Sequence, residues 1–275
     1  PLPVVALRDG ASLAVWKFHV DWAVPASSSL TGPAIVPVTP YARACGGVFQ
    51  CIPQPGTTVL LDGLDDSVMP RLPYRRFADG RASLLANHTI ASGGRAAIRW
   101  YELRLDPGGA TSVFQEGTYS PDAEHRWMAS MAQDGNGNVA VGYSLSSATT
   151  RPSIRYAGRL VADPVGTLPR GEGELAAGAG SQTHTGGRWG LGAAMVVDPA
   201  DDCTFWFTSE YLPADGSFNW RTRIASFRYT ACGPYDFGLG ASPPELGLPQ
   251  GGTGKVEISS AVVSGWAGPV TLEAG

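Results

Sequence analysis

Short runs in which apolar and polar residues alternate recur along the chain. Between residues 16 and 22, Trp, Phe, Val and Trp alternate with Lys, His and Asp. The stretch from Val139 to Tyr143 shows the same alternation with small residues. A period of two residues is typical of a strand with one buried face. Both segments therefore predict β-strands.

Three longer segments align with one another and indicate an internal repeat. Each begins with an arginine, runs through small and apolar residues, reaches an Asp-centred turn and enters a second strand. The segments are RLPYRRFADGRASLLANHTI from Arg71, RWMASMAQDGNGNVAVGYSLSS from Arg126 and RWGLGAAMVVDPADDCTFWFTSEYL from Arg188, with the turns at Asp79, Asp134 and Asp198. Short Asp turns accept backbone N–H groups, so we expect a structural role for these aspartates.

A third strand closes each unit, in AAIRWYELRL, PSIRYAGRL and TRIASFRY. RDGASLAVWKFHVDW resembles the turn and second strand of an earlier unit, whose first strand we expect to be missing. Units of 50 to 60 residues with several strands each are typical of a β-propeller. We therefore predict an all-β chain with a propeller, closed or incomplete, over residues 1–233. The alternative, a β-sandwich, predicts frequent strands but no such repeat.

Composition narrows the class of protein. The 275 residues include 36 Gly and 22 Pro, which disfavour a helical fold. The net charge of −4 argues against a nucleic-acid partner, for which a basic face is expected. No apolar run approaches the roughly 18 residues of a membrane helix, so no membrane span is predicted.

Four cysteines fall into two local pairs, Cys45 with Cys51 and Cys203 with Cys232. Neither pair has the spacing of a zinc or redox motif, so two disulfides in a secreted protein are the favoured interpretation. Free buried thiols are the alternative. The chain begins at Pro1, and we interpret it as a mature or trimmed product, with a fragment of a longer chain left open.

The composition changes near residue 233. Residues 234–275 have few charges and many glycines, with short strands expected at 255–258 and 269–272. We predict the first strands of a truncated Ig-like β-sandwich, or a tail that lies on the propeller.

The repeat segments, together with PSIRYAGRL, GSQT and the phrase FGLGASPPELGLPQGG, resemble a family of large secreted bacterial proteins. The sialidase-like propeller of that family is often followed by Ig-like repeats that begin F-x-L-x-A-S-P. The turns around Asp134 and Asp198 also approximate the S-x-D-x-G-x-T-W box of sialidases. The resemblance implies a sialidase-like propeller, secreted or at the cell surface, with a carbohydrate or cell-surface ligand.

Arg71, Arg126 and Arg188 share one repeat position, so they could converge on the channel. Three guanidinium groups would bind a carboxylate, sulfate or phosphate group, as three arginines do in the sialidases that the chain resembles. The competing interpretation is that each forms an ion pair from one propeller blade to the next or stacks on a neighbouring Trp. For the equivalent set in the third strands, Arg99, Arg155 and Arg223, structural ion pairs are favoured.

Tyr119, Glu210 and Tyr211 are the candidate catalytic residues, because sialidases use a Tyr nucleophile that a Glu activates. Adjacent strand residues face opposite sides, so we do not expect Glu210 to act with Tyr211. Tyr119, across the channel, is the geometrically freer partner for Glu210.

No cofactor is predicted, and the four histidines are too dispersed for a metal cluster. Asp198, Asp201 and Asp202 could bind Ca²⁺ through oxygen ligands, although a solvated turn is favoured.

The first hypothesis is thus a secreted, sialidase-like propeller that binds or hydrolyses an acidic glycan at its channel mouth. If it is an enzyme, it is a glycoside hydrolase. The alternative is a non-catalytic adhesion or scaffold module of a larger protein. Open carboxylates near the arginines would favour an enzyme, and arginines neutralised by their neighbours would favour a scaffold.

Overall fold

The computed structural model describes residues 2–106, 108–232, 236–242, 251, 253–255 and 257–264. Over these residues the chain forms β-strands, with one short 3-10 helix at Pro25–Ser27 and no α-helix, so the all-β prediction is confirmed. The strands are β1 (Leu2–Leu7), β2 (Ser12–His19), β3 (Ser29–Pro37), β4 (Gln50–Ile52), β5 (Leu61–Asp62), β6 (Tyr74–Arg76), β7 (Ala82–Ser92), β8 (Arg95–Leu105), β9 (Thr111–Tyr119), β10 (His125–Gln133), β11 (Val139–Ser146), β12 (Ser153–Arg159), β13 (Glu172–Ala176), β14 (Ala194–Val197), β15 (Phe205–Tyr211), β16 (Arg221–Phe227), β17 (Asp236–Ser242) and β18 (Glu257–Ser264).

Most of these strands belong to four antiparallel sheets, each built from strands that follow one another along the chain. Sheet I contains β1–β3, sheet II β6–β9, sheet III β10–β13 and sheet IV β14–β16. Each sheet is open, with a first and a last strand at its two edges. The pairs β4–β5 and β17–β18 form two smaller sheets.

The same type of turn joins the first and second strands of all four sheets. In each turn, an Asp side chain accepts a hydrogen bond from the backbone N–H two residues later, at 2.9 to 3.1 Å. Such turns are a usual role of aspartate between strands. The structural role predicted for the repeat aspartates is confirmed. The donor–acceptor pairs are Ala11 to Asp9, Arg81 to Asp79, Asn136 to Asp134 and Ala200 to Asp198.

The four sheets pack face to face in chain order. Sheet I contacts sheet II through a cluster that includes Leu13, Val36 and Tyr101. Sheet II contacts sheet III through a second cluster that contains Trp100 and Tyr143. Sheet III contacts sheet IV through a third apolar cluster, formed by side chains of both sheets. Sheets II and III therefore have neighbours on both faces.

This two-sided packing explains why the central strands lack a simple alternation of apolar and polar residues. Every residue of β7 from Ala82 to Ile90 is buried, and so is every residue of β11. Small residues allow the sheets to approach closely. A Cβ atom added to Gly142 would lie 2.6 Å from the ring of Phe207 on sheet IV.

The two end sheets keep one apolar face exposed. On sheet I, Leu2, Phe18 and Leu30 are paired across the three strands, and they are 63%, 40% and 61% exposed. On sheet IV, Trp206 and Ile224 are 40% and 66% exposed.

The structure contains two disulfides, as predicted. Cys45 is bonded to Cys51, and Cys203 is bonded to Cys232. The first lies in the segment 38–73, which has no counterpart in the other repeat units. This segment packs through Ile52 against a cluster with Trp127 and Trp189.

One detail differs from the sequence predictions. The first unit does have a first strand, because β1 pairs with β2 throughout its length. It was missed because LPVVAL lacks the leading arginine that marks the other units. In the C-terminal region, β18 overlaps the strand predicted at 255–258. The strand predicted at 269–272 lies outside the described residues.

Replacing Asp134 by Ala should destabilise the fold. The side chain is fully buried and accepts hydrogen bonds from two backbone N–H groups and from the Asn138 amide. Leaving these donors unpaired should lower the free energy of unfolding by about 3 kcal/mol, measured by urea denaturation. The matched control is Asp79→Ala, in an exposed turn of the same type, which should cost only about 0.5 kcal/mol. Equal losses would contradict this account of the turn.

Candidate functional site

A cleft opens at the end of sheet IV opposite the Asp198 turn. Because that turn joins β14 to β15, the start of β14 and the end of β15 lie together at the cleft. The cleft has a volume of about 360 Å³ and continues into a more open depression of about 720 Å³. Asp62, Leu64 and Arg188 line both. The cleft is further lined by Met128, Gln182, His184, Trp189, Gly190, Leu191, Gly192, Glu210, Phe218 and Trp220.

The floor of the cleft is fixed by Trp189. Its side chain is buried, lies 6.4 Å from the ring of Trp127 and donates a hydrogen bond from the indole nitrogen to Ser144 Oγ at 2.9 Å. The next residue, Gly190, has a φ of +63°, and a Cβ atom there would lie 3.0 Å from the Met128 side chain. This position therefore favours glycine, both for its backbone conformation and for its close contact.

Glu210, near the end of β15, contributes a partly buried carboxyl group to the cleft. Burial raises its pKa, and a hydrogen bond from the backbone N–H of Gly190 partly offsets that effect. Tyr211, the next residue, packs on the other side against the cluster between sheets III and IV. The prediction that these two neighbours face opposite sides is thus confirmed.

The cleft combines a free cation with a carboxylate and an imidazole. Arg188 is exposed and makes no ion pair or side-chain hydrogen bond within the part of the chain that the structure describes. Asp62 Oδ1 accepts the N–H of Leu64 at 2.8 Å. The Nδ1 atom of His184 accepts the N–H of Gly186 at 3.1 Å, so in the neutral ring Nε2 carries the proton.

Two exposed aromatic rings complete the cleft. Phe218 is 70% exposed and Trp220 is 53% exposed, and both lie in the loop between β15 and β16. The Phe218 ring lies 4.3 Å from the His184 ring. Exposed rings beside polar groups provide flat apolar surfaces that a ligand can cover.

Of the three repeat arginines, only Arg188 lines the cleft. Arg71 is exposed, and it precedes β6 in a backbone conformation with a φ of 73°. Arg126 is 1% exposed and donates hydrogen bonds to Asp122 and Glu172 at 2.7 to 2.8 Å. Burial alone would lower the pKa of Arg126, but these two carboxylates raise it. Its charge is neutralised by Glu172 of the same sheet and by Asp122 of the preceding loop. The ion pair between two sheets that the competing interpretation named is therefore not formed by Arg126 within the described residues.

Structural ion pairs are also found for two of the third-strand arginines. Arg99 lies 3.7 Å from Glu116, and Arg155 lies 2.6 Å from Glu174. Arg223 forms no ion pair among the described residues and is exposed.

Tyr119 lies apart from Glu210, in a buried cluster between sheets II and III. Its ring centroid is 5.8 Å from that of Tyr143 and 5.6 Å from Arg126 Cζ. Tyr143 donates a hydrogen bond to Glu172 at 2.7 Å. Burial raises the pKa of both tyrosines, which disfavours their ionised forms. The structure brings Tyr119 and Arg126 together, but not in the open cleft.

The three aspartates considered for Ca²⁺ are each engaged by donors of the protein. Asp198 accepts hydrogen bonds from Ala200 and Trp206. Hydrogen bonds from Thr204 lower the pKa of Asp201 to about 2. Asp202 forms a bidentate ion pair with Arg75, at 2.6 and 2.7 Å. Within the described residues, no three His, Cys, Asp or Glu side chains are grouped to hold a metal ion.

Sequence reasoning missed several residues of the cleft. Asp62 lies in the unrepeated segment 38–73, so no alignment of units points to it. Phe218 and Trp220 are aromatic residues in the turn-forming segment PADGSFNW, a signal that could have been used. The cleft adds these three residues to the predicted Arg188 and Glu210.

Comparisons with family models, curated proteins and solved structures give no match to this chain. No helix of the described residues is both long enough and apolar enough to cross a membrane.

Replacing Glu210 by Gln should change the pH dependence of stability. Because the folded-state pKa lies above the ordinary value of 4.5, the native protein loses stability as the pH rises through that folded-state pKa. Glu210→Gln should therefore gain stability relative to the parent as the pH rises from acidic to neutral, measured by urea denaturation. Glu257→Gln, at an exposed position, controls for the loss of one carboxyl group. If the difference in free energy of unfolding between Glu210→Gln and the parent does not change with pH, the prediction is wrong.

Proposed function

We propose that this chain is an extracellular, sialidase-like β-propeller, complete or partial, that binds an acidic glycan in the cleft of Arg188 and Trp220. The repeated three- or four-stranded sheets, their shared Asp turns and their face-to-face packing support the propeller. The exposed apolar side chains of sheets I and IV also fit a propeller, because in a propeller each sheet packs against another sheet on both faces. Two disulfides favour an oxidising, extracellular environment.

The observation that carries the proposal is the unpaired Arg188 in a cleft with exposed aromatic rings. A free guanidinium group binds a carboxylate or sulfate through paired N–H donors. The rings of Phe218 and Trp220 suit the apolar CH faces of sugars. Asp62 and Glu210 add acceptors for sugar hydroxyl groups. An acidic sugar can therefore pair with the guanidinium group, stack on the rings and donate hydrogen bonds to the carboxylates.

Binding is preferred over hydrolysis as the main activity. In a sialidase-like mechanism, a tyrosine and several arginines would act together at one site. Here Arg126 is neutralised by Asp122 and Glu172, and Tyr119 is buried beside it. This arrangement supports the adhesion module that the sequence left as an alternative.

Hydrolysis is a second candidate function, favoured by Glu210. A carboxyl group whose pKa is raised by burial can act as a general acid on a glycosidic oxygen. Asp62, in the same cleft, is the second carboxylate that such a reaction needs.

The proposal predicts that Arg188→Ala and Trp220→Ala each weaken the binding of 3′-sialyllactose or digalacturonate about tenfold. The first substitution removes a charge-assisted hydrogen bond, and the second removes an aromatic stack. Neutral lactose should bind weakly to the parent and be little affected by Arg188→Ala. Isothermal titration calorimetry gives the affinities.

The matched controls are Arg8→Ala and Trp22→Ala, at exposed positions in and beside sheet I. Both should bind like the parent. If the parent binds none of the acidic probes, or if the control variants lose affinity equally, the proposal is wrong. Fluorogenic sialosides and glucuronides incubated with the parent and with Glu210→Gln separate the two candidates. Turnover that Glu210→Gln abolishes establishes a hydrolase, and binding without turnover establishes an adhesion module.

A further inference from the structure

A second recessed surface lies at the turn end of sheet II. The turn 77–81 and residues 106 and 108–110, between β8 and β9, meet there because alternate turns of an antiparallel meander share one end. The other end of the sheet carries Ala96, which packs with the floor of the cleft. Two adjoining depressions of about 470 and 580 Å³ share Arg76, Gly80 and Asp106. We call this the basic surface, defined by Lys17, Tyr74, Arg76, Arg81, Arg104 and Phe114.

Two cations of the basic surface are free to bind a ligand. Lys17 and Arg76 make no ion pair or side-chain hydrogen bond with any described residue. A Cβ atom at Gly109 would lie 2.8 Å from Lys17 Nζ, so the glycine leaves room for the ammonium group.

The two other cations are held in place by aromatic rings. Arg81 Cζ lies 4.1 Å from the Phe77 ring centroid, and Arg104 Cζ lies 3.9 Å from that of Phe114. Both are also paired, Arg81 with Asp79 and Arg104 with Glu102. Stacking orients their guanidinium planes before any ligand arrives, which lowers the entropic cost of binding.

Aromatic and acidic groups of the same surface narrow the ligand class. Tyr74 and Phe114 are 47% and 49% exposed and offer faces for sugar rings. Asp79 and Asp106 line the same depression as Arg76 and Arg81. Their carboxylates can accept hydrogen bonds from hydroxyl groups, but they would repel a polymer that carries a phosphate at every unit. A nucleic acid also needs a broader basic face than this one.

We infer that the basic surface binds a linear polysaccharide that carries isolated carboxylate or sulfate groups. Lys17 and Arg76 contact the anionic groups, and Tyr74 and Phe114 contact the sugar rings between them. This site is separate from the cleft of Arg188 and Trp220, and it does not require that the cleft binds a sugar.

The test measures polysaccharide binding in the Trp220→Ala background, so that the cleft contributes little. Immobilised hyaluronan and κ-carrageenan, which carry one carboxylate and one sulfate per disaccharide respectively, distinguish carboxylate from sulfate. Dextran is the neutral polymer, and single-stranded DNA is the competing polyanion. Lys17→Ala/Arg76→Ala should weaken binding to at least one of the two acidic polysaccharides about fivefold. The binding should also weaken as salt rises, because charge contacts are screened.

Arg223→Ala/Arg228→Ala is the matched control, since it removes two exposed positive charges from sheet IV and the segment after it. It should leave binding unchanged. Arg76→Glu should weaken binding more than Arg76→Ala, and circular dichroism verifies the fold of each variant. The inference is overturned if neither acidic polysaccharide binds, if the control pair loses as much affinity, or if DNA binds more tightly than both polysaccharides.

Discussion

The structure depends on small sheets that bury their apolar side chains by stacking face to face. A sheet of three or four short strands cannot form a stable core alone, because both of its faces would remain in water. Sheets II and III are covered on both faces because each stacks between two neighbouring sheets. Successive residues of their central strands β7 and β11 are accordingly buried on both faces. At Gly142 the sheets pack so closely that the Phe207 ring occupies the space that a Cβ atom would need.

Stacking also determines where chemistry can occur. At one end of the sheets, short Asp turns join the first and second strands and satisfy their own backbone donors. At the other end of sheet IV, the loops are longer and bring together residues that are distant in sequence, such as Asp62 and Trp220. Rigid sheets with variable loops at one end are a common way to build binding sites.

Local regularities of the sequence predicted much of the fold. The Asp turns, the third strands and both disulfides follow from repeat spacing and cysteine pairing. The partners of each arginine do not follow from repeat spacing. Arg126 and Arg188 share a repeat position, yet Arg126 meets Asp122 and Glu172 whereas Arg188 meets no partner. That difference depends on carboxylates outside the repeat, which alignment of the units cannot place.

The central claim is that ligands enter at the loop end of sheet IV. Hydrogen–deuterium exchange with mass spectrometry, with and without an acidic oligosaccharide, tests it most directly. The account predicts slower exchange in peptides that cover 60–65, 184–192 and 214–221. Peptides over the Asp134 turn should not change. Protection at that turn, or at none of the three loop segments, would contradict the account.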